Sequence, residues 1–473
     1  MFPASTGNYR SGSVPTWLND RYRAILVLLA LVLAPLTTLR LYAADEIEYF
    51  AYLRSLVFDH DLDFTNEYQW FVDRDPREYD GFARTFIIPK TPAGRAPNNA
   101  PIGSAVLWAP FYVPTVAVEN LLHRDETPRG YSQADFAAVC LASMVYGVIG
   151  LLIVQEACRR FASARASFWT TVLVWLGSNL LFYMYVTPPM SHANSFFLSA
   201  LFLWAWLRAD DRPASGLVIG VLGGLLATVR WQDALFLLSP LSAPLFAGRI
   251  RNRQALRRWL AWASALTVGF VLAFSPQLFV WWRLNGSLTP FGVISVQGRL
   301  SLAAPYFVGV LFSPFHGLFV WTPILVPAFV GLVLLATRDG QGRAIALGVV
   351  AQIYLLSGYI VAFGHSFGQR LFISALPAAA IGLAVFVDRV APRLPKGLPM
   401  TCGVLAVWWN LSLIVQHATG LVPRNEGVTL GTLVHHQFVE VPSRLPGVAK
   451  RYLFDRSSLY KVDPRRQRTS ETP

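Results

Sequence analysis

Apolar residues fill this chain in long runs, and short clusters of arginine separate them. The first run is AILVLLALVLAPL (24–36), and later ones reach the roughly 17–25 residues that cross a bilayer. The pattern predicts about eleven spanning helices. They cover residues 24–42, 135–157, 167–187, 193–208, 215–229, 233–248, 258–283, 317–336, 344–362, 371–388 and 399–418. Threaded this way, the cationic loops share one side: Arg159, Arg160 and Arg165; Arg208 and Arg212; Arg249, Arg251, Arg253, Arg257 and Arg258; Arg338 and Arg343; Arg389, Arg393 and Lys396. Loops rich in Lys and Arg stay cytoplasmic, which fixes the orientation and puts the N-terminus on the same side. The first run reads as an uncleaved helix, because the cleavage candidate LYAA has Tyr42 where a small residue is needed.

Two stretches need parity to be read. Residues 101–122 are apolar enough to cross, but crossing would move every later basic loop outside. Pro101, Pro110, Pro114 and Glu119 suit a bent interfacial helix instead. Residues 215–247 are flanked by basic loops, so the run crosses an even number of times, with RWQD (230–233) at a hairpin tip.

Composition agrees with the pattern. Hydrophobic residues make up 54% and charged residues 14%, whereas soluble domains carry about 25% charged residues. The expectation is an all-α polytopic membrane protein with a long first outer loop carrying interfacial helices; no barrel-like alternation occurs. The net charge of +13 comes from arginines placed as topology signals, which argues against nucleic-acid binding. Three cysteines form neither a disulfide framework nor a zinc pattern. The expected organisation is a cytoplasmic N-terminus (1–23), a membrane body (24–418) with the outer loop at 43–134, and an outer-side tail (419–473).

Chemistry is expected at the outer face. AADEIEYFAYLRSL (43–56) places Asp45, Glu46 and Glu48 in the first turns after the first span. Alone, each polar residue at such a boundary has a plain structural explanation: a helix cap, a satisfied carbonyl, a snorkelling arginine. Yet Asp45, Glu46, His192, Arg230, Gln232, Asp233, His316, His365, Gln369 and Arg370 all fall at the same boundary on different helices. Such a ring suits reaction between a lipid-linked phosphate and a polar acceptor. A phosphate leaving group needs cationic donors where negative charge grows. Arg230 and Arg370 offer bidentate forks, with His365 or Lys90 as helpers. Tyr49 and Tyr52 follow Asp45 at i+4 and i+7, where their rings can meet a sugar. Asn98, Asn99, His192, Gln232, Asp233, His316 and Gln369 are the further candidates for sugar or acceptor hydroxyls. Asp59, Asp61 and Asp63 alternate in HDLDF, a weak divalent-ion pattern without the EF-hand loop; no metal ligand is assigned.

The stretches DEIEYFAYLRSLVFDHDLDFTNEY, NNAPIGSAVLWAPFY, MSHANSFF, VRWQDALFLLSP, LFSPFHGLFVWTP and GHSFGQRLFISALP, spread over about residues 44–377, resemble multi-pass glycosyltransferases of the GT-C superfamily, close to the protein-mannosyltransferase-like (family 39) branch. The resemblance implies a polyprenyl-phosphate-linked sugar donor, transfer with inversion, and Asp45 as catalytic base supported by Glu46. It further implies a bacterial inner-membrane enzyme working on its outer side, with a glycan, glycolipid or protein acceptor. A transporter or flippase for a lipid-linked or anionic solute is the alternative. It would need ionisable groups along a midplane path, and the inner halves of the predicted helices carry almost none. A non-catalytic assembly subunit is a third reading, which the long outer loop with its acidic start disfavours.

Overall fold

The computed structural model describes residues 20–74, 76–122, 129–289, 301–359, 367–423 and 427–459. His365 lies outside them. Helices account for nearly all the regular structure, and among the described residues there is no strand. Among the described residues, four helical stretches are long and apolar enough to cross a membrane: Gln133–Cys158, Arg253–Asn285, Arg370–Arg393 and Leu398–Ala418. Pro213–Val229 and Leu325–Arg338 are shorter apolar helices.

Several predicted spans are interrupted. The 167–187 run divides into Ala164–Leu176 and Leu180–Tyr185, and the 317–336 run into Leu318–Trp321 and Leu325–Arg338. The second half of the 215–247 run is a 3₁₀ turn, Trp231–Leu237, leading into the helix Leu238–Phe246. A 3₁₀ turn, Arg370–Ala375, likewise opens the helix Leu376–Arg389. Arg230 and Arg370 therefore each stand where a 3₁₀ turn begins.

Glycines set the closest helix contacts. Pro213–Val229 lies along Arg253–Asn285, and a methyl group added at Gly220 would sit 2.0 Å from the Leu266 carbonyl oxygen. Gly216 and Gly224 meet Trp262 and Phe270 in the same way, and Gly269 answers from the other helix against Leu217. A second pair crosses at Gly331 and Gly382, where an added methyl group would lie 1.9 Å from the Gly382 oxygen. Small residues at four-residue spacing let apolar helices approach to backbone contact where hydrophobic driving force is weak.

Residues 41–131 build a second apolar core apart from that of the helix bundle. Ile47, Phe50, Phe64, Tyr68, Trp108 and Tyr112 are buried in it, and it rests on Val139 and Ala142 of one long helix and Val280 and Leu284 of another. The 101–122 stretch forms one helix, Gly103–Leu121, with Pro110 and Pro114 inside it. Its inner face is pinned by Trp108 Nε1 donating to Ser143 Oγ at 2.8 Å, while Val106, Val113 and Val118 are exposed. This layer carries the acidic helix Ala44–Arg54 to the ends of the bundle helices.

Candidate active site

The three opening carboxylates take three different positions. Glu46 folds back on its own helix end, where Oε2 accepts from the backbone N–H of Tyr42 at 2.8 Å and Ala43 at 3.0 Å. That is the reciprocal half of a capping box and starts the helix. Burial pushes the Glu46 carboxyl up to about 7, against those two hydrogen bonds. Glu48 is buried and accepts from the Asn99 backbone N–H at 2.6 Å. Burial first, then the nearby Asp45 charge, raises its carboxyl well above the usual range. Asp45 alone points outward from the layer, and its Oδ2 accepts from Arg370 Nη1 at 2.6 Å. Its side chain is 40% exposed and that of Arg370 22%, so the pair lines accessible space.

Arg230 anchors the neighbouring polar group. Its Nη1 donates to Ser191 Oγ at 3.1 Å and lies 3.3 Å from His192 Nδ1. Turned to its satisfied orientation, the Gln232 amide oxygen accepts from Arg230 Nη2 at 2.7 Å and Nε at 3.0 Å. Tyr49 Oη also donates to Ser191 Oγ, at 2.9 Å, which links the acidic helix to Arg230 through one hydroxyl. Burial, with Arg230 and then Arg370 adding to it, holds His192 well below the usual imidazole range. A neutral ring with Nδ1 as acceptor fits the Arg230 contact. Tyr183 packs edge-on against His192 at 4.4 Å.

Asp233 holds this arrangement together. It is 1% exposed and accepts from Ser195 Oγ at 2.6 Å, Ser374 Oγ at 2.7 Å and Gln352 Nε2 at 3.2 Å. Ser374 belongs to the turn that begins with Arg370, and Asp233 to the turn that follows Arg230. One carboxylate thus ties the two arginine-bearing turns to each other.

The remaining candidates are distributed around this centre. His316 has a positive φ of 62°. Its Nδ1 accepts from the Gly368 N–H at 3.2 Å, and burial lowers its imidazole to about 3, helped by Arg370. Gln369 is 1% exposed, and neither end of its amide has a partner. Asn98 is taken up inside the loop layer, donating to the Glu48 carbonyl oxygen at 2.9 Å and accepting from Ala100 N–H at 2.9 Å. The Asn99 and Lys90 side chains are exposed. Tyr52 is fully buried against Phe64, its hydroxyl unpartnered. The three aspartates of HDLDF do not converge: Asp59 pairs with Arg54, Asp61 accepts from Ser55 and from the Asp63 N–H, and Asp63 accepts from Thr65. No group of three His, Cys, Asp or Glu among the described residues is arranged to hold a metal ion.

Sequence reasoning missed Ser191, Ser195, Gln352 and Ser374. Uncharged residues in apolar helices give no signal until the fold brings a charge to them.

No protein-family model matches the sequence, and no curated protein matches it. Solved structures do. The crystal structure of ArnT from Cupriavidus metallidurans bound to undecaprenyl phosphate superposes over 94% of this chain and 79% of that one, with a TM-score of 0.53 and 16% sequence identity. The chain shares the fold of that ArnT structure. The apo structure of the same ArnT matches over 92% of this chain and 77% of that one, at a TM-score of 0.49 and 14% identity.

Proposed function

We propose that this protein is an inverting glycosyltransferase that moves a sugar from a polyprenyl-phosphate donor to a hydroxyl of a glycan, glycolipid or protein. It would work at the outer face of a bacterial inner membrane. The observation that carries the reading is the Asp45–Arg370 pair: a carboxylate and a guanidinium from distant parts of the chain, both partly exposed, meeting at 2.6 Å. ArnT, whose fold the chain shares, has been crystallised with undecaprenyl phosphate. A second arginine beside a neutral histidine and a Tyr–Ser pair supports a phosphate-and-sugar site here.

In the proposed reaction the donor phosphate competes with Asp45 for Arg370, and its arrival releases the carboxylate. Asp45 then takes the proton of the acceptor hydroxyl. That oxygen attacks the anomeric carbon from the side opposite the phosphate, and the bond from that carbon to the phosphate oxygen breaks. The electron pair leaves with the phosphate, whose growing negative charge Arg370 and Arg230 receive. General-base assistance of this kind is worth roughly 10²- to 10⁴-fold in rate. The membrane body of about residues 24–418 would hold the site, with the 43–134 layer covering it from water. His365 and Lys90 remain proposed helpers at the phosphate, Gln369 a proposed partner of sugar or acceptor hydroxyls, and Glu46 a proposed support for Asp45 through the helix end it caps.

The test is sugar transfer by the purified protein in lipid, supplied with a panel of polyprenyl-phosphate sugars and a membrane glycan extract. Transfer by the wild type supports the reading. Vectorial movement of the donor with no transfer from any panel member would replace it with the transporter.

A further inference from the structure

A second cationic site lies on the flank of the molecule, where the first helix ends. A cavity of about 410 Å³ is lined by Ala34, Pro35, Thr37, Thr38, Leu39, Arg40, Gln133, Leu141 and Arg456. It shares no residue with the Asp45–Arg370 site. Two of its walls are guanidinium groups: Arg456, and Arg40, which lies over the Tyr42 ring at 4.9 Å and acts on the Glu46 carboxyl. Arg456 arrives from the C-terminal tail, where Nη2 donates to the Pro35 carbonyl oxygen at 3.0 Å and Nη1 to that of Thr37 at 3.3 Å. Its guanidinium stacks 4.3 Å from the Tyr452 ring, and Tyr452 Oη itself donates to the Leu36 carbonyl oxygen. Gln133 donates to the Leu39 carbonyl oxygen at 2.5 Å, closing the far side. Thr37 is 3% exposed, and its hydroxyl has no partner.

The surroundings say what kind of anion fits. Leu28, Leu31 and Val32 are exposed on the helix that leads up to the cavity, and Leu39 and Leu141 on its walls. The tail helix Val441–Phe454, which reaches residues 35–37 through Tyr452 and the following Arg456, also carries exposed Leu453 and Phe454, with Lys450 and Arg451 before them in the chain. Arginine at the polar level with an apolar strip leading away is the layout of a lipid headgroup with its chains. We infer that this cavity binds the phosphodiester headgroup of an anionic membrane lipid between Arg40 and Arg456, with the acyl chains along the exposed face of Arg21–Leu33. The bound phosphate ties the C-terminal tail to residues 34–40, the segment that runs directly into the acidic helix carrying Asp45. The inference needs only the membrane setting and stands whether or not the transferase reading holds.

Native mass spectrometry of the full chain in detergent, with phosphatidylglycerol, phosphatidylcholine or inorganic phosphate added, tests it. Phosphatidylglycerol is expected to give a retained adduct that weakens at least about tenfold in Arg40→Gln and in Arg456→Gln, the scale of a lost charge-assisted hydrogen bond. Arg370→Gln is expected to keep the adduct. Hydrogen exchange of residues 441–456 in the wild type removes any dependence on variant folding, and phosphatidylglycerol should slow it while phosphatidylcholine does not. Equal adducts in all variants with unchanged exchange would overturn the proposal. So would loss of the adduct in Arg370→Gln alone, which would assign the lipid to the candidate active site, or equal protection by inorganic phosphate, which would make this a free-anion site.

Discussion

Asp45 and Arg370 stand 325 residues apart in the chain, and Oδ2 of the one accepts from Nη1 of the other at 2.6 Å. Each comes from a structurally irregular point: Asp45 from the first turn of a helix that caps itself, Arg370 from the start of a 3₁₀ turn. Partial exposure keeps the pair from being a buried structural bridge.

Replacing Asp45 by Asn keeps the size and removes the base. Transfer should fall by roughly 10²- to 10⁴-fold while donor binding is retained or strengthened, because Arg370 loses its competitor. Parallel transfer and donor-binding measurements check this. A variant that transfers at the wild-type rate would remove Asp45 from the chemistry.

Arg370→Lys should not rescue Arg370→Ala, since an ammonium cannot reproduce a planar fork on phosphate. Each substitution should weaken donor affinity by about 10- to 100-fold, corresponding to one or two charge-assisted hydrogen bonds. Unchanged donor affinity in Arg370→Ala would show that the phosphate is held elsewhere.

Asp233→Ala leaves three buried donors, from Ser195, Ser374 and Gln352, without their acceptor. Each orphaned group costs about 1–3 kcal/mol, so the midpoint of thermal unfolding in detergent should drop clearly. Undiminished stability with lost sugar affinity would instead assign the carboxylate to substrate.

Glu46 gives a pH dependence of defined sign. Its carboxyl holds a proton up to about pH 7 in the folded protein, against an ordinary value of 4.5. The folded state therefore binds the extra proton between those values. This contribution to stability is full below 4.5 and is lost as pH rises through 7. Glu46→Gln keeps an acceptor for the Tyr42 and Ala43 N–H groups and should flatten that dependence. Unfolding midpoints of both proteins at several pH values across the window would reveal it.

Gly220→Ala puts a methyl carbon 2.0 Å from a backbone oxygen that no side-chain rotation can move. The two helices must separate, at a cost of about 1–3 kcal/mol, typical of overpacking. A stability measurement showing no loss would mean that the pair is looser than its glycine spacing requires.

The hydrophobic pattern by itself pointed to a helical membrane protein, because a continuous apolar run of bilayer length satisfies its backbone within a single helix, whereas barrel strands would alternate. It also marked Asp45, Arg230 and Arg370, since charges are costly beside such runs. What it could not decide was which carboxylate does what. Asp45, Glu46 and Glu48 look alike in sequence, and only the fold sends one to Arg370, one to the helix end and one into the loop layer. The serines around Arg230 and Asp233 were silent for the same reason, as a hydroxyl in a helix carries no signal until a distant charge packs against it. The interruption at RWQD was legible, but the breaks inside the 167–187 and 317–336 runs and the 3₁₀ form of the turns were hidden. A 3₁₀ turn at Trp231–Leu237 or Arg370–Ala375 keeps the hydropathy of a span while changing its geometry. Tertiary packing made those choices, because hydrogen bonds between elements such as Asp233 and Ser374 are what fix where each helix yields.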